Sequence, residues 1–233
     1  MKNKILIAVL AGSLSNHVFA MGEDDPIVTR LMIDQFEKRY MDDEKPVVFE
    51  GDISIGKDLN KFKLKFDIEQ VDGETHEREL QALYSRAVHP YWDFQVGVRQ
   101  DQKTDPKREW LVLGFEGVAP YWFEMDTALF INEDDQVNLR VNAEYEWMIT
   151  QKWVLSPEIE ANFYSKNDQV EGIGSGLSDS QIGLRLRYEI KREFAPYIGI
   201  NWTKKYGDTA DYAEADGEDT SDTHFVAGIR AWF

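Results

Sequence analysis

The residues of this chain whose types and spacing could do chemistry are carboxylates set two apart: Glu124 with Asp126, Glu144 with Glu146 and then Met148, and Glu158 with Glu160. The single carboxylates Asp93, Glu116 and Glu189 join them. A spacing of two puts side chains on one face of a β-strand, so each pair points the same way. Clustered carboxylate oxygens attract cations, and the thioether of Met148 adds a soft donor of the kind copper accepts. Two imidazoles extend the set. His76 falls in an acidic stretch between Glu74 and Glu77 that reads as a loop, and His224 falls near the C-terminus, facing inward at the outer rim. His89, beside Pro90, reads as a turn residue. The chain has no cysteine, which excludes thiolate metal sites and cysteine nucleophiles. Ser175 in Gly-Ile-Gly-Ser-Gly has the outline of a nucleophile motif, but that motif needs a strand-to-helix turn and this serine sits in a polar loop. No enzyme is expected.

The elements that must position these residues are strands. Phe62, Leu64, Phe66 and Ile68 alternate with Lys63, Lys65, Asp67 and Glu69, which gives a strand with one apolar and one charged face. The same pattern is clearest from Val137 to Ile149 and returns at about 46–57, 78–89, 92–101, 109–119, 122–131, 153–165, 177–190, 194–205 and 223–233. Short connections alternate with longer polar ones, the latter around 72–77, 102–108, 132–136, 166–176 and 206–222. Short periplasmic turns and long external loops produce this asymmetry in outer-membrane barrels. If the last strand descends to a periplasmic C-terminus, the strand number must be even. The irregular segment 27–40 then supplies the twelfth strand, with an amphipathic helix through Val28, Leu31, Met32 and Phe36 as the competing reading.

The termini agree with export. Two early lysines, an apolar run and Val18-Phe19-Ala20 read as a signal peptide over residues 1–20. A short acidic segment at 21–26 follows, and the barrel occupies 27–233. No later apolar run approaches the roughly 20 residues of a membrane-spanning helix. Mean hydropathy is -0.49, a value that alternating strands disguise. The final segment sets Phe225, Ala227, Ile229, Ala231 and Phe233 on alternate positions. Tyr91, Trp92, Tyr121, Trp122, Trp147, Trp153, Tyr188 and Phe194 gather near the turns like an interfacial belt. The fold read from the residues is therefore all-β: a transmembrane, antiparallel, up-and-down β-barrel of about 12 strands, placed in the outer membrane of a Gram-negative cell with lipid as its surroundings.

With the apolar set toward lipid, the alternate set lines the lumen. That inward set holds Glu50, Asp52, Asp67, Glu69, Asp93, Glu116, Glu124, Asp126, Glu144, Glu146, Glu158, Glu160, Asp179 and Glu189. Against them stand Lys61, Lys63, Lys65, Arg99, Arg140, Arg185, Arg187 and Arg230. The excess of acid matches a formal charge of -17, which argues against a nucleic-acid partner and favours cations in the lumen. Ion pairing that only stiffens the barrel is the alternative use of the same residues. Asp93, Glu116, Glu124, Glu146, Met148, Glu158 and Glu189 all lie within a few residues of the short-turn end and would crowd the periplasmic mouth.

Five stretches carry a further signal: RAVHPYWDFQVGVR, GVAPYWFEMD, EGIGSGLSDSQIGLRLRYEIKREFAPYIGINW, KKYGDTADYA and GEDTSDTHFVAGIRAWF. Together they closely resemble the copper resistance protein B family over about Pro26 to Phe233. The resemblance implies an outer-membrane component of a copper tolerance system, acting beside a periplasmic multicopper oxidase or copper carrier. Copper would be bound or transported, not catalytic. Many family members carry a long N-terminal region rich in Met, His and Asp; here only Met21 to Asp25 precede the barrel. Copper handling is therefore expected to rest on the barrel. The alternative is a docking platform for the oxidase, with the lumen structurally plugged.

Overall fold

Alternation over a dozen residues gives a strand one apolar and one polar face, and closure into a barrel turns the first toward lipid and the second toward the lumen without leaving an edge. The computed structural model describes residues 25–41, 45–102 and 107–233. The signal peptide and most of the acidic segment after it lie outside the described residues. The first strands are β1 (Val28–Tyr40), β2 (Val47–Lys57), β3 (Asn60–Val71), β4 (Glu74–His89), β5 (Trp92–Gln102), β6 (Arg108–Ala119) and β7 (Phe123–Asn132). They continue as β8 (Val137–Glu144), the short β9 (Trp147–Met148), β10 (Trp153–Tyr164), β11 (Gly176–Tyr188), β12 (Phe194–Lys205) and β13 (Ser221–Trp232). Apart from β8 and β9, which both pair with β10, neighbours in sequence pair antiparallel, and β13 returns to pair with β1, closing the sheet. Because β9 prolongs the course of β8 beside β10, the closed barrel has twelve strands.

The expected unbroken strand from Val137 to Ile149 is interrupted at Tyr145 and Glu146. The cause lies in its neighbour: the Tyr145 amide donates to the Pro157 carbonyl at 3.0 Å, but proline has no N–H to return the bond, so the ladder lapses there. The segment 27–40 is a strand and not a helix. Its uneven alternation comes from a bulge, where the register slips between Ile33 and Gln35 against β2 and between Ile33 and Phe36 against β13. The extra residue lets Asp34 and Gln35 both serve the lumen.

Two predicted loops turn out otherwise. The stretch at 72–77 is a two-residue turn, Asp72-Gly73, with φ of 52° and 84°, the positive-φ pair that tight hairpins favour. His76 thus stands on β4 and not in a loop. It is the residue passed over where the register steps from Glu69–Glu77 to Gln70–Thr75. The stretch at 206–222 contains a helix, α1 (Gly207–Asp216), which Gly217 ends in the left-handed conformation, φ 80°.

Leu111, Phe225 and Phe233 are 62%, 68% and 70% exposed, on the apolar outer face that the barrel turns toward lipid. No helix among the described residues is long and apolar enough to cross a membrane; the strands do so. The inner wall departs from the simple rule in one sector. Leu83, Trp110, Val112, Ala128 and Phe130 are buried together on the lumen side of β4, β6 and β7. The run Trp110-Leu111-Val112-Leu113 is apolar on both faces, and alternation cannot reveal which of its residues turn inward.

Candidate functional site: the charged lumen

One cavity of about 950 Å³ runs through the barrel, from Arg30, Val118 and Glu124 at the short-turn end to Glu171, Tyr212 and Glu218 at the long-loop end. Eighteen carboxylates and ten Lys or Arg side chains line it. Of the residues singled out from sequence, Glu116, Glu124, Asp126, Glu144, Glu158 and Glu160 are lining residues.

Most of these carboxylates are bonded. Glu116 of β6 receives Lys63 and, at 3.1 Å, Lys65 of β3, and Lys65 also pairs with Asp126 of β7. Glu158 accepts from Arg185 Nη1 and Asn142 Nδ2, each at 2.8 Å. Glu160 accepts from Asn162 at 3.0 Å and lies 3.7 Å from Arg140. Arg230 reaches from β13 to Glu144 at 3.5 Å and Glu146 at 2.9 Å, and Arg187 pairs with both. Asp93 meets Lys61 at 3.5 Å and the Ser85 hydroxyl at 3.1 Å. Glu124, Glu144 and Glu158 stand in one lateral row, because Glu144 is the register partner of the other two on β7 and β10.

The other six singled-out residues, His76, Asp93, Glu146, Met148, Glu189 and His224, do not line the cavity. Met148 pairs with Val154 at the short-turn end, 54% exposed. Glu189 lies just past β11, where its amide donates to the Lys152 carbonyl at 2.7 Å. His76 is exposed near the β3–β4 turn. His224, by contrast, is buried under the long-loop end: its Nδ1 lies 2.7 Å from Asp222 Oδ2, and its Nε2 has no hydrogen-bond partner. Its register partner on β12, Asn201, is also buried with an unpartnered amide. Among the described residues, no three His, Asp or Glu side chains are placed to hold one metal ion. The acidic residues are spread along the wall instead of converging.

Several lumen residues escaped the sequence reading. Glu37 and Asp34 lie on bulged β1, where alternation fails. Glu79 is the hub of another cross-lumen set, with Arg140 at 3.0 Å and Arg99 at 2.9 Å. The alternation of Glu77, Glu79 and Gln81 against Arg78, Leu80 and Ala82 could have found it. Arg99 and Arg140 also lie over the Phe130 ring, at 4.5 Å and 5.4 Å respectively, so the apolar sector of the wall carries cations on its face. Glu50 and Asp67 were expected to face inward and do so. They are register partners across β2 and β3, and among the described residues neither has an ion-pair partner within 4.0 Å.

The family model for the copper resistance protein B precursor (CopB) matches residues 27–233. Copper resistance protein B of Escherichia coli is 40% identical over 222 residues, covering 95% of this chain and 74% of that one. A copper resistance protein B homolog of Pseudomonas syringae pv. tomato is 38% identical over 223 residues, covering 96% and 76%. Among solved structures, a NanC porin superposes with a TM-score of 0.57 at 8% identity, and a KdgM porin with 0.54 at 12%. Each covers 88% of this chain and 99% of its own, and at these identities they share the fold alone. With the family matched across the whole barrel, the chain belongs to the copper resistance protein B family, as an outer-membrane β-barrel with a role in copper resistance.

Proposed function

We propose that the barrel handles copper as cargo, binding the ion weakly along its carboxylate-lined lumen and letting it move between sites. The observation that carries this reading is the facing pair Glu50 and Asp67, set opposite each other with no ion-pair partner within 4.0 Å among the described residues. Like charges directly opposite on neighbouring strands repel, and a mobile cation in the lumen relieves that repulsion. The wider excess of carboxylates acts in the same direction, since a low-dielectric wall focuses their field onto the aqueous path. Dispersed oxygen donors suit transit better than storage: an ion that is to leave must not be held by a full ligand set.

The test is copper flux into liposomes carrying the folded protein, compared with Glu50→Gln/Asp67→Asn and with Glu124→Ala/Glu146→Ala. The reading expects flux above empty vesicles, reduced several-fold by the first pair. Flux equal to that of empty vesicles, with bound copper unchanged in both variants, would sink it. A second reading, a docking platform for a periplasmic multicopper oxidase or copper carrier, draws support from the cross-lumen ion pairs and from Tyr121 and Trp122. These lie at the short-turn end, 84% and 73% exposed. Copper-independent capture of a purified oxidase by the folded barrel, lost in Tyr121→Ser/Trp122→Ser, would favour it.

A further inference from the structure

The outer mouth of the lumen is covered from two sides. The β10–β11 connection, residues 165–175, turns inward so that Gln169, Val170 and Glu171 line the cavity, and Thr209, Tyr212 and Asp216 of α1 line it too. The two segments are joined. Asn167 Nδ2 donates to Asp208 Oδ2 at 2.6 Å, and the Gly174 amide donates to the Thr209 hydroxyl at 2.8 Å. That hydroxyl also lies 3.0 Å from the Ser178 hydroxyl. Contact at Gly174 is backbone against backbone, since a Cβ there would fall 2.5 Å from the Thr209 nitrogen.

The same connection also reaches the other way round the rim. Arg108, the first residue of β6, pairs with Asp168 and, at 3.3 Å, with Glu171. In the barrel, β7 and β8 separate β6 from β10, so these pairs cross open rim instead of joining neighbouring strands. The three side chains are 24%, 16% and 8% exposed, which shields the pairs from solvent more than ordinary surface ion pairs.

We propose that residues 165–175 and α1 form a two-part lid over the outer mouth, latched to the far wall by Arg108 and closed in this structure. The asymmetry of its attachments makes it a lid. On the α1 side it is held by backbone contact and by hydrogen bonds from uncharged donors, and on the β6 side by ion pairs. Charge is the attachment that substitution, acid or competing ions can release. The inference concerns access to the lumen, and potassium chloride reads it without copper, so its failure and that of the copper reading are separable.

The experiment is channel conductance in planar bilayers at neutral pH in potassium chloride. Arg108→Ala is expected to raise the open level or open time at least two-fold. Asp168→Asn/Glu171→Gln, which leaves the wall of β6 untouched, is expected to do the same. Because the chain has no cysteine, Arg108→Cys/Asp168→Cys can be bridged with a bismaleimide, and the bridged form is expected to stay at or below the unmodified level. Equal conductance in unmodified protein and both release variants would overturn the lid. A bridged form as conductive as the release variants, or no conductance in any form, would overturn it as well.

Discussion

Glu37 of β1 holds Arg185 of β11 with two hydrogen bonds of 3.2 Å, from Nε and Nη2, although β12 and β13 stand between their strands. Glu37 is 1% exposed and also accepts from Tyr197 Oη at 2.9 Å and Arg39 Nε at 3.0 Å. A carboxylate so enclosed is tolerable only because every neighbour is a donor. Removing one partner of a buried pair leaves the other uncompensated, which costs about 3–5 kcal/mol. Glu37→Ala should therefore lower the urea midpoint of the folded barrel by an amount in that range. Glu37→Leu/Arg185→Met, which removes both charges, should cost less than Glu37→Ala alone. A double variant at least as unstable as the single one would show that the pair itself, and not the avoidance of a stranded charge, stabilises the wall.

The lipid face gives a contrasting test. Leu113 lies midway along β6 and is 42% exposed, while Val112 beside it is 1% exposed in the inner apolar cluster. Arginine on the lipid face near the midplane costs about 2–4 kcal/mol, so Leu113→Arg should destabilise the barrel in a bilayer by that amount and by less in detergent. Val112→Ala should cost about 1–3 kcal/mol in both, since its loss is one of packing. Equal penalties for Leu113→Arg in bilayer and detergent would contradict the assignment of faces.

These contrasts explain how far the sequence alone could be read. Strands such as β3, where Phe62 to Glu69 alternate without a break, were legible because one face meets lipid and the other meets charge. Alternation failed where a bulge at Asp34 and Gln35 added a residue and where β6 is apolar on both faces. It also carried on through Tyr145, because the defect there belongs to Pro157 on another strand. The acidic lumen was legible as a set, but its pairings were not. Lys65 meets Asp126 on a strand four places away around the barrel, and no spacing along the chain encodes that meeting. The lid escaped for a similar reason. Polar loop composition states that 165–175 and 206–222 leave the membrane, but not that they fold back over the mouth.

The latch should respond to acid, and the sign is fixed by Asp168. Its modest burial works against the charged form, but hydrogen bonding and attraction from Arg108 outweigh this and hold the carboxyl below its ordinary value of 3.8. A carboxyl with a depressed folded value keeps its stabilising charge at higher pH and loses it as pH falls through that lowered value. Conductance should thus stay at its latched level as pH drops from 7 through the usual aspartate range and rise only below it. Arg108→Ala, already released, should show no such step. A rise centred well above 3.8 in the unmodified protein would assign the transition to some other group.

His224 offers the sharpest separation between a structural and a copper-handling use of one side chain. Asp222 holds Nδ1 at 2.7 Å, and Nε2 is buried without a partner. A carboxylate on one ring nitrogen is the arrangement that orients the other toward a metal. If the ring only packs, His224→Leu removes a buried unsatisfied nitrogen along with one hydrogen bond, and these effects largely offset, each being about 1–3 kcal/mol. Stability should then move little in either case. Copper should decide the matter. On the cargo reading, His224→Leu lowers the copper retained by the folded barrel in equilibrium dialysis and removes one nitrogen coupling from the spectrum of bound cupric ion, while His76→Gln, on the exposed hairpin, leaves both unchanged. Retention and coupling identical to the unmodified protein would confine His224 to packing and leave the carboxylates alone to carry the ion.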